Sequence, residues 1–367
     1  MSDLSSVAVL GSDSAQLPVD WYFDPHIYDL EKRIFFDRGS GYVGHELMVP
    51  NVGDYQSLEW AGNSKVLVRS DNGIELLSNI CRHRQAVMLQ GRGTARDIVC
   101  PLHRWTYALD GRLLGAPNFP QNPCLDLARS PMTSWNGLLF AGHRHVAQDL
   151  ESLEVAADLD FSGFVFDRVD IEEYACNWKT FIEVYLEDYH VEPFHAGLGN
   201  FVDVRDLRWE FGEWYSVQTC GVKRGLQRPG SDVYRRWHEQ VMRYGEGRAP
   251  RHGAIWLTYF PNVMVEWYPH SLVVSTLIPR GPEACTNIVE FYYPEDIAFF
   301  EREFVEAEQA AYRETAVEDA EIIERMTAGR RALLQQGISE SGPYQSPLED
   351  GMRHFHQFIR RELQPHL

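Results

Sequence analysis

Two short runs of the sequence hold residues able to bind a soft metal. In CRHRQAVMLQGRGTARDIVCPLHRW, Cys81 and His83 are separated by one residue, and Cys100 and His103 by two. Each run therefore offers one thiolate and one imidazole. A [2Fe–2S] centre in which two His replace two Cys on one iron needs this mixed composition, and the His pair raises its potential above that of an all-thiolate cluster. Two Cys and two His also satisfy tetrahedral zinc. Zinc hairpins, however, usually begin with a Cys pair and close with a His pair, whereas both runs here read Cys then His.

A cluster only moves electrons, so chemistry needs a second centre. The segment EVYLEDYHVEPFH supplies His190 and His195, with Pro193 between them. Read as a helix over NWKTFIEVYLEDYHV that Pro193 breaks, it lets the second imidazole swing towards the metal faced by the first. A carboxylate would complete the two-His, one-carboxylate face that binds Fe(II) and leaves positions open for O2. In ETAVEDAEIIERMTAGR an apolar stripe runs through Ala316, Ile322, Ile323 and Met326; Asp319 falls in it, while Glu318, Glu321 and Arg325 fall on the wet face. A carboxylate directed into a core must be paired or bind metal, which makes Asp319 the third candidate ligand. Taken alone, the same residues are also compatible with two ordinary polar His and a solvated acid.

The elements that must hold these residues are of two kinds. From about residue 43 to residue 146, short β-type runs (KVLVRS, GIELLSN, DIVCP, WTYAL and GLLFAG) alternate with Gly, Asn and Asp turns, which predicts a small all-β domain. Before it, HIYDLEKRIFF has helical spacing at Ile27, Leu30 and Ile34. After it, the acidic stretch AQDLESLEVAADLDFSG reads as a connection, and AIWLTYF, VMVEWY, SLVVSTLIP and TNIVEFYY read as strands. A run from Ile297 to about Leu334 reads as one long helix, and LEDGMRHFHQFIRREL as a closing amphipathic helix. The fold class expected is α+β: a small all-β domain beside an antiparallel sheet with helices against it. The expected boundaries are 1–40 for an N-terminal helical segment packed on the catalytic domain, 41–150 for the cluster domain and 151–367 for the catalytic domain.

Composition narrows the partners. The chain has 367 residues, 44% of them apolar, enough for two cores. With 34 basic and 53 acidic residues its net charge is -19, which disfavours nucleic acid or an anionic membrane and suits a basic electron donor. Six scattered cysteines do not frame a disulfide scaffold, so reduced thiols are expected. No run reaches the roughly 18 apolar residues of a membrane span, and the start MSDLSSVAVLGSDSAQLP lacks the pattern of a signal peptide, so a cytoplasmic protein is expected. No Gly-rich dinucleotide fingerprint follows a strand, which assigns NAD(P)H to a separate reductase.

The runs CRHR, CPLHRWTYALDGRLLGAP and WNGLLFAG resemble the cluster loops and following strands of the Rieske domain in ring-hydroxylating oxygenases. NWKTFIEVYLEDYHVEPFH and VEDAEIIERMTAGR resemble that family's iron-binding stretch and distal ligand helix, and the likeness extends to PVDWYFDPHIYDLEKRIFF, YVGHE and GPYQSPLEDGMRHFHQFIRREL. One departure is Ser40, where many members have Trp. Respiratory Rieske proteins add a disulfide whose two Cys slots hold Ala86 and Leu102 here, which points to the oxygenase or ferredoxin type.

The resemblance implies a terminal oxygenase alpha subunit with a helix-grip-like catalytic domain. It implies a Rieske [2Fe–2S] cluster on Cys81, His83, Cys100 and His103 and a mononuclear Fe(II) on His190, His195 and Asp319. Electrons would come from NAD(P)H through a separate reductase or ferredoxin, and a homotrimer or other threefold assembly would let a cluster feed the neighbour's iron. The family's acidic bridge between the metal centres falls on Glu187, which on a helix shares a face with His190; Asp188 is the next candidate. Glu in that slot is typical of relatives that oxidise quaternary ammonium compounds, such as choline and carnitine monooxygenases.

Candidate pocket walls are Tyr185, Trp256, Phe260, Met264 and Trp267, with Glu266 a partner for a cation; aromatic faces suit a ring or a trimethylammonium group alike. Three readings follow: hydroxylation or N-demethylation of a small quaternary amine, hydroxylation or dioxygenation of an aromatic compound, or an electron-transfer or sensing Rieske protein without oxygenase activity.

Overall fold

The structure, a computed structural model, describes residues 15–367, which form two compact units. One is Arg38–Gln148; the other joins the chain up to Asp37 with Asp149–Leu367. No helix among the described residues is long and apolar enough to cross a membrane.

Arg38–Gln148 is built from short antiparallel strands, as its spaced Gly, Asn and Asp turns require. Five of them pair in the order Arg92–Thr94, Asp54–Ser57, Lys65–Ser70, Gly73–Ser78 and Arg129–Ser130. Val66, Val68, Leu77, Ile98, Trp105 and Tyr107 alternate inwards to make its core. Two loops at this core repeat one backbone pattern. Cys81 N donates to Ala86 O (2.9 Å) and Gln85 N to Cys81 O (3.1 Å); Cys100 N donates to Trp105 O (2.8 Å) and Arg104 N to Cys100 O (3.1 Å). Gln85 (φ 55°) and Arg104 (φ 62°) both close the loop in the left-handed region. The loops match in backbone but differ in the His position, which is why one reads C-x-H and the other C-x2-H.

The second unit is a seven-stranded antiparallel sheet gripped by helices. The strands lie in the order Phe164–Tyr174, Ala284–Pro294, Ser271–Gly281, Val263–Tyr268, Ala254–Tyr259, Tyr215–Val222 and Val202–Phe211. The inner strands are buried on both faces, so they read as near-continuous apolar runs. Helices Trp178–Tyr185, Arg302–Gln335 and Asp350–Leu363 pack with the N-terminal segment in a core of Tyr22, Leu30, Trp178, Ile182, Ile323 and Phe355.

Three elements differ from the sequence reading. The first helix is Pro25–Glu31 and continues as a widened turn over Lys32–Phe36, closed by Asp37 N to Lys32 O (2.8 Å). The extra residue per turn brings Phe35 into the core and leaves Ile34 half-buried. The run expected as one helix from Ile297 breaks at Glu301 (φ -126°, ψ 58°) into Glu295–Phe300 and Arg302–Gln335, with Ile297 and Phe304 buried on either side. The helix before the His pair stops at Tyr185 rather than running on to Val191.

Candidate active site

In the first unit the two thiols point inwards and the two imidazoles outwards. Cys81 and Cys100 are buried, His83 is half-buried and His103 exposed, and the two rings lie 4.7 Å apart between centroids. His83 stacks on Trp105 (5.0 Å, 6°), and its buried Nδ1 has no protein partner. An imidazole fixed by packing with an orphaned ring nitrogen fits a metal ligand. Tyr107 Oη accepts from Arg82 N (3.1 Å) and lies 3.6 Å from Cys81 Sγ. Burial and the contact with that thiol raise the Tyr107 pKa, so the phenol remains a donor to sulfur. The donor set fits a mixed-ligand [2Fe–2S] cluster.

The second unit brings His190, His195 and Asp319 together, the group among the described residues able to hold a single ion. His190 Nε2 lies 3.0 Å from His195 Nε2, His195 Nε2 2.9 Å from Asp319 Oδ1, and His190 Nε2 3.4 Å from Asp319 Oδ1. Ligands at right angles, each about 2.1 Å from one ion, stand roughly 3.0 Å apart, so this triangle fits one face of an octahedron and leaves the opposite face open. The other ring nitrogens are held by carboxylates: His190 Nδ1 by Glu187 Oε1 (2.5 Å) and His195 Nδ1 by Glu318 Oε2 (2.7 Å). Donation from both Nδ1 atoms leaves both Nε2 lone pairs for metal. In the metal-free chain, burial disfavours the charged rings, but the hydrogen bonds to Asp319 and Glu187 outweigh it and raise the His190 pKa to about 10. Burial would raise the Asp319 pKa, but its hydrogen bonds with His190 and His195 outweigh that and lower it. Three carboxylates (Asp319, Glu187 and Glu318) thus face two imidazoles, a surplus of negative charge that favours a cation.

The local backbone corrects three expectations. Glu187 and His190 do not share a helix; they lie in the turn after Tyr185, and Glu187 Oε2 caps that turn by accepting from Tyr189 N (2.6 Å) and His190 N (3.1 Å). Pro193 does not break a helix, because it sits in the first turn of Val191–Phe194, where no donor is needed. Glu318 is not on the wet face: its carboxylate turns in to His195, while Glu321 and Arg325 pair with each other outside. Asp188 hydrogen-bonds to neither imidazole. It is 2% exposed, its Oδ1 lies 4.0 Å from Cys220 Sγ and its Oδ2 has no partner.

A cavity of about 100 Å³ opens beside the three ligands, between the sheet and the long helix. Tyr185, Trp256 and Glu266 line it as expected, joined by Asp188, Tyr268 and Tyr312. Phe260, Met264 and Trp267 do not. Phe260, just past the end of Ala254–Tyr259, and Met264 lie in the core with Phe355, and Trp267 alternates to the other face of the sheet. The lining contains no Lys or Arg, although Asp188, Glu266 and Glu308 are all buried in it. Sequence reasoning missed Glu308, Tyr312 and Glu318; the spacing of Glu308, Tyr312 and Asp319 puts them on one helix face but does not tell a cavity wall from core.

Both parts of the chain match known families. Residues 150–364 match the family described as ring hydroxylating alpha subunit (catalytic domain), and residues 41–130 match the Rieske [2Fe–2S] domain. The chain is 62% identical to a putrescine 2-hydroxylase of Ralstonia nicotianae, over 98% of this chain and 99% of that protein. It is 51% identical to a putrescine 2-hydroxylase of Bordetella bronchiseptica, over 98% and 87%. A solved quaternary ammonium Rieske monooxygenase has the same fold, with a TM-score of 0.72 at 18% identity over 95% of this chain and 96% of that one.

Proposed function

The chain belongs to the ring-hydroxylating oxygenase alpha subunits that carry a Rieske domain, and from that premise we propose that it hydroxylates a short aliphatic diamine, 1,4-diaminobutane (putrescine) first among them. The observation that carries this reading is a cavity with three buried carboxylates and no Lys or Arg: burial raises the pKa of Asp188, Glu266 and Glu308 each to about 7, and an ammonium in the cavity would let them ionise. The activity named for the relative at 62% identity supports it.

When bound, the mononuclear iron activates O2 with electrons that come from NAD(P)H through a reductase and the cluster. Cys81, His83, Cys100 and His103 would hold the cluster, and His190, His195 and Asp319 the iron. Glu187 Oε1 and Glu318 Oε2 keep the Nδ1 protons of the two iron His, so that both rings present Nε2. We also assign to Glu187 the coupling of His190 to a cluster His of a neighbouring subunit. Asp188 is left to the cavity, where its unpartnered Oδ2 can accept from a substrate ammonium. Around Glu266, the rings of Trp256, Tyr268 and Tyr312 exclude water.

A homotrimer or other threefold homo-oligomer, served by a reductase or ferredoxin, is the assembly we propose; the inter-subunit electron transfer described for the structural relative supports it. With Cys81 and Cys100 assigned to the cluster, the other four cysteines, none of them in a disulfide, support a cytoplasmic location. A quaternary amine is the second reading, favoured by Glu187 in the bridging slot. An aromatic substrate has less support, because a ring offers nothing to three buried acids.

The test is a reductase-coupled assay of purified protein with 1,4-diaminobutane, choline, carnitine and aromatic acids, scoring O2 uptake against product mass. A hydroxylated diamine formed in step with O2 uptake is expected. Product from quaternary or aromatic compounds alone overturns the proposal.

A further inference from the structure

One end of the cavity is built to accept hydrogen bonds. Glu266 is 1% exposed; its Oε1 accepts from Tyr312 Oη (3.1 Å) and its Oε2 from Tyr268 Oη (2.7 Å), and Tyr268 in turn accepts from Trp256 Nε1 (2.9 Å). Every donor in this chain points towards the carboxylate, and each carboxylate oxygen keeps a lone pair. Burial, partly offset by the two phenols, raises the Glu266 pKa to about 7, the mark of an acid that lacks a cation. The rings stand edge to face around it, Trp256 to Tyr268 at 6.3 Å and Tyr268 to Tyr312 at 6.4 Å. Their faces favour a positive charge.

The long helix sets the distance from this end to the iron ligands. Tyr312, Thr315, Ala316 and Asp319 all line the cavity, as positions i, i+3, i+4 and i+7 of one helix must. Seven residues separate the Glu266 partner Tyr312 from the ligand Asp319 by roughly 10 Å along the axis. A carboxylate to ammonium hydrogen bond takes about 3 Å of that. Three bonds of about 1.5 Å each, in an extended chain, take roughly 4 Å more. Together these reach about 7 Å and leave roughly 3 Å, about one van der Waals contact, between the third carbon from the anchored nitrogen and the ligand end; in 1,4-diaminobutane that carbon is position 2 counted from the other end.

We infer that Glu266 is the specificity residue of the cavity: it holds the ammonium farther from the iron ligands, and chain length measured from that anchor selects the carbon oxidised. The inference rests on the diamine reading above. A primary ammonium donates to the free lone pairs of Glu266, whereas a quaternary group has no N–H and leaves them unpaired.

The holoenzyme tests this with 1,5-diaminopentane. Counting from the anchor gives a 3-hydroxy product; a 2-hydroxy product means that the near ammonium sets the position, and it overturns the inference. Calorimetry under anaerobic conditions supplies the second measurement. Glu266→Gln is expected to weaken 1,4-diaminobutane binding about 30-fold or more, with the cluster spectrum and iron content unchanged; wild-type affinity in that variant overturns the inference even where the longer diamine is not turned over. The wild-type chain is expected to bind the bis(trimethylammonium) analogue of the four-carbon diamine at least as much more weakly, and equal affinity counts against the anchor whether or not the variant folds. If the wild-type chain neither binds nor hydroxylates 1,4-diaminobutane, the functional reading fails and the anchor with it. If it does both and only the variant result disagrees, the anchor alone fails.

Discussion

At the scale of residues, the proposed iron site is a set of carboxylates dividing the work between them. Asp319 faces the metal position, while Glu187 and Glu318 stand behind the two imidazoles. Removing the rear acceptor should loosen the metal without touching the cluster. Glu318→Gln is expected to lower iron affinity about 10–100-fold, read as faster loss of mononuclear iron to a chelator while the visible absorption of the cluster holds. His190→Ala should take iron from about three to about two atoms per chain; if the cluster spectrum disappears in that variant, the two ligand sets have been confused. The ligand candidates were legible because thiol, imidazole and a misplaced acid stand out in an apolar pattern. Glu318 was not, because a helix wheel records where a Cα points, and a Glu side chain is long enough to turn back over the edge of its face. Tyr312 and Glu308 were hidden for another reason. The sequence shows a stripe directed inwards, and nothing in a stripe distinguishes a core from a cavity.

At the scale of elements, buried ion pairs tie the helices to the N-terminal segment. Lys179 and Glu31 are both fully buried and meet at 2.5 Å, with Trp178 Nε1 on the other carboxylate oxygen (2.7 Å). Glu31→Gln leaves the Lys179 charge unpaired and should cost about 3–5 kcal/mol, measured by urea unfolding; a well-packed apolar replacement of both residues should restore most of it. Glu183 joins four elements, accepting from Tyr22, from Arg330 Nη2 (2.6 Å) and from His356 Nε2 (2.8 Å). Burial alone would raise its pKa, but Arg330 and these hydrogen bonds hold it at about 2 against an ordinary 4.5. A depressed acid stabilises the fold fully above its unfolded pKa and loses that contribution as pH falls. Between pH 4.5 and 2 the catalytic unit should therefore lose on the order of 3 kcal/mol from this residue. Glu183→Gln should be less stable at neutral pH and flatter in that acid window; an unchanged pH slope would remove the assignment. Strands and helices were legible from their periods, but these anchors were not. Glu31 and Glu183 look like solvent-facing helix acids, and their partners Lys179 and Arg330 lie 148 and 147 positions away.

At the scale of the whole molecule, the residues proposed for the cluster and those proposed for the iron belong to two units with separate cores, so either set can be altered alone. That separation makes the proposed assembly testable. A Cys81→Ser chain keeps its iron ligands but loses its cluster, and a His190→Ala chain keeps its cluster but loses an iron ligand; each should be inactive by itself. If electrons pass from the cluster of one subunit to the iron of the next in a closed ring of three, a mixed ring contains one competent neighbour pair. Co-expression at equal levels makes three rings in four mixed, each with one working site of three, so the preparation should recover about one quarter of wild-type turnover. Transfer within a chain predicts none at all. Size-exclusion chromatography of the mixture checks that the subunits have assembled. Adding Glu187→Gln to the cluster-free chain alters the bridge only at the iron that receives electrons, and should slow the recovered activity. The same substitution in the iron-free chain should leave it unchanged, because that chain contributes only its cluster. This asymmetry distinguishes a carboxylate that couples neighbouring centres from one that merely positions its own His.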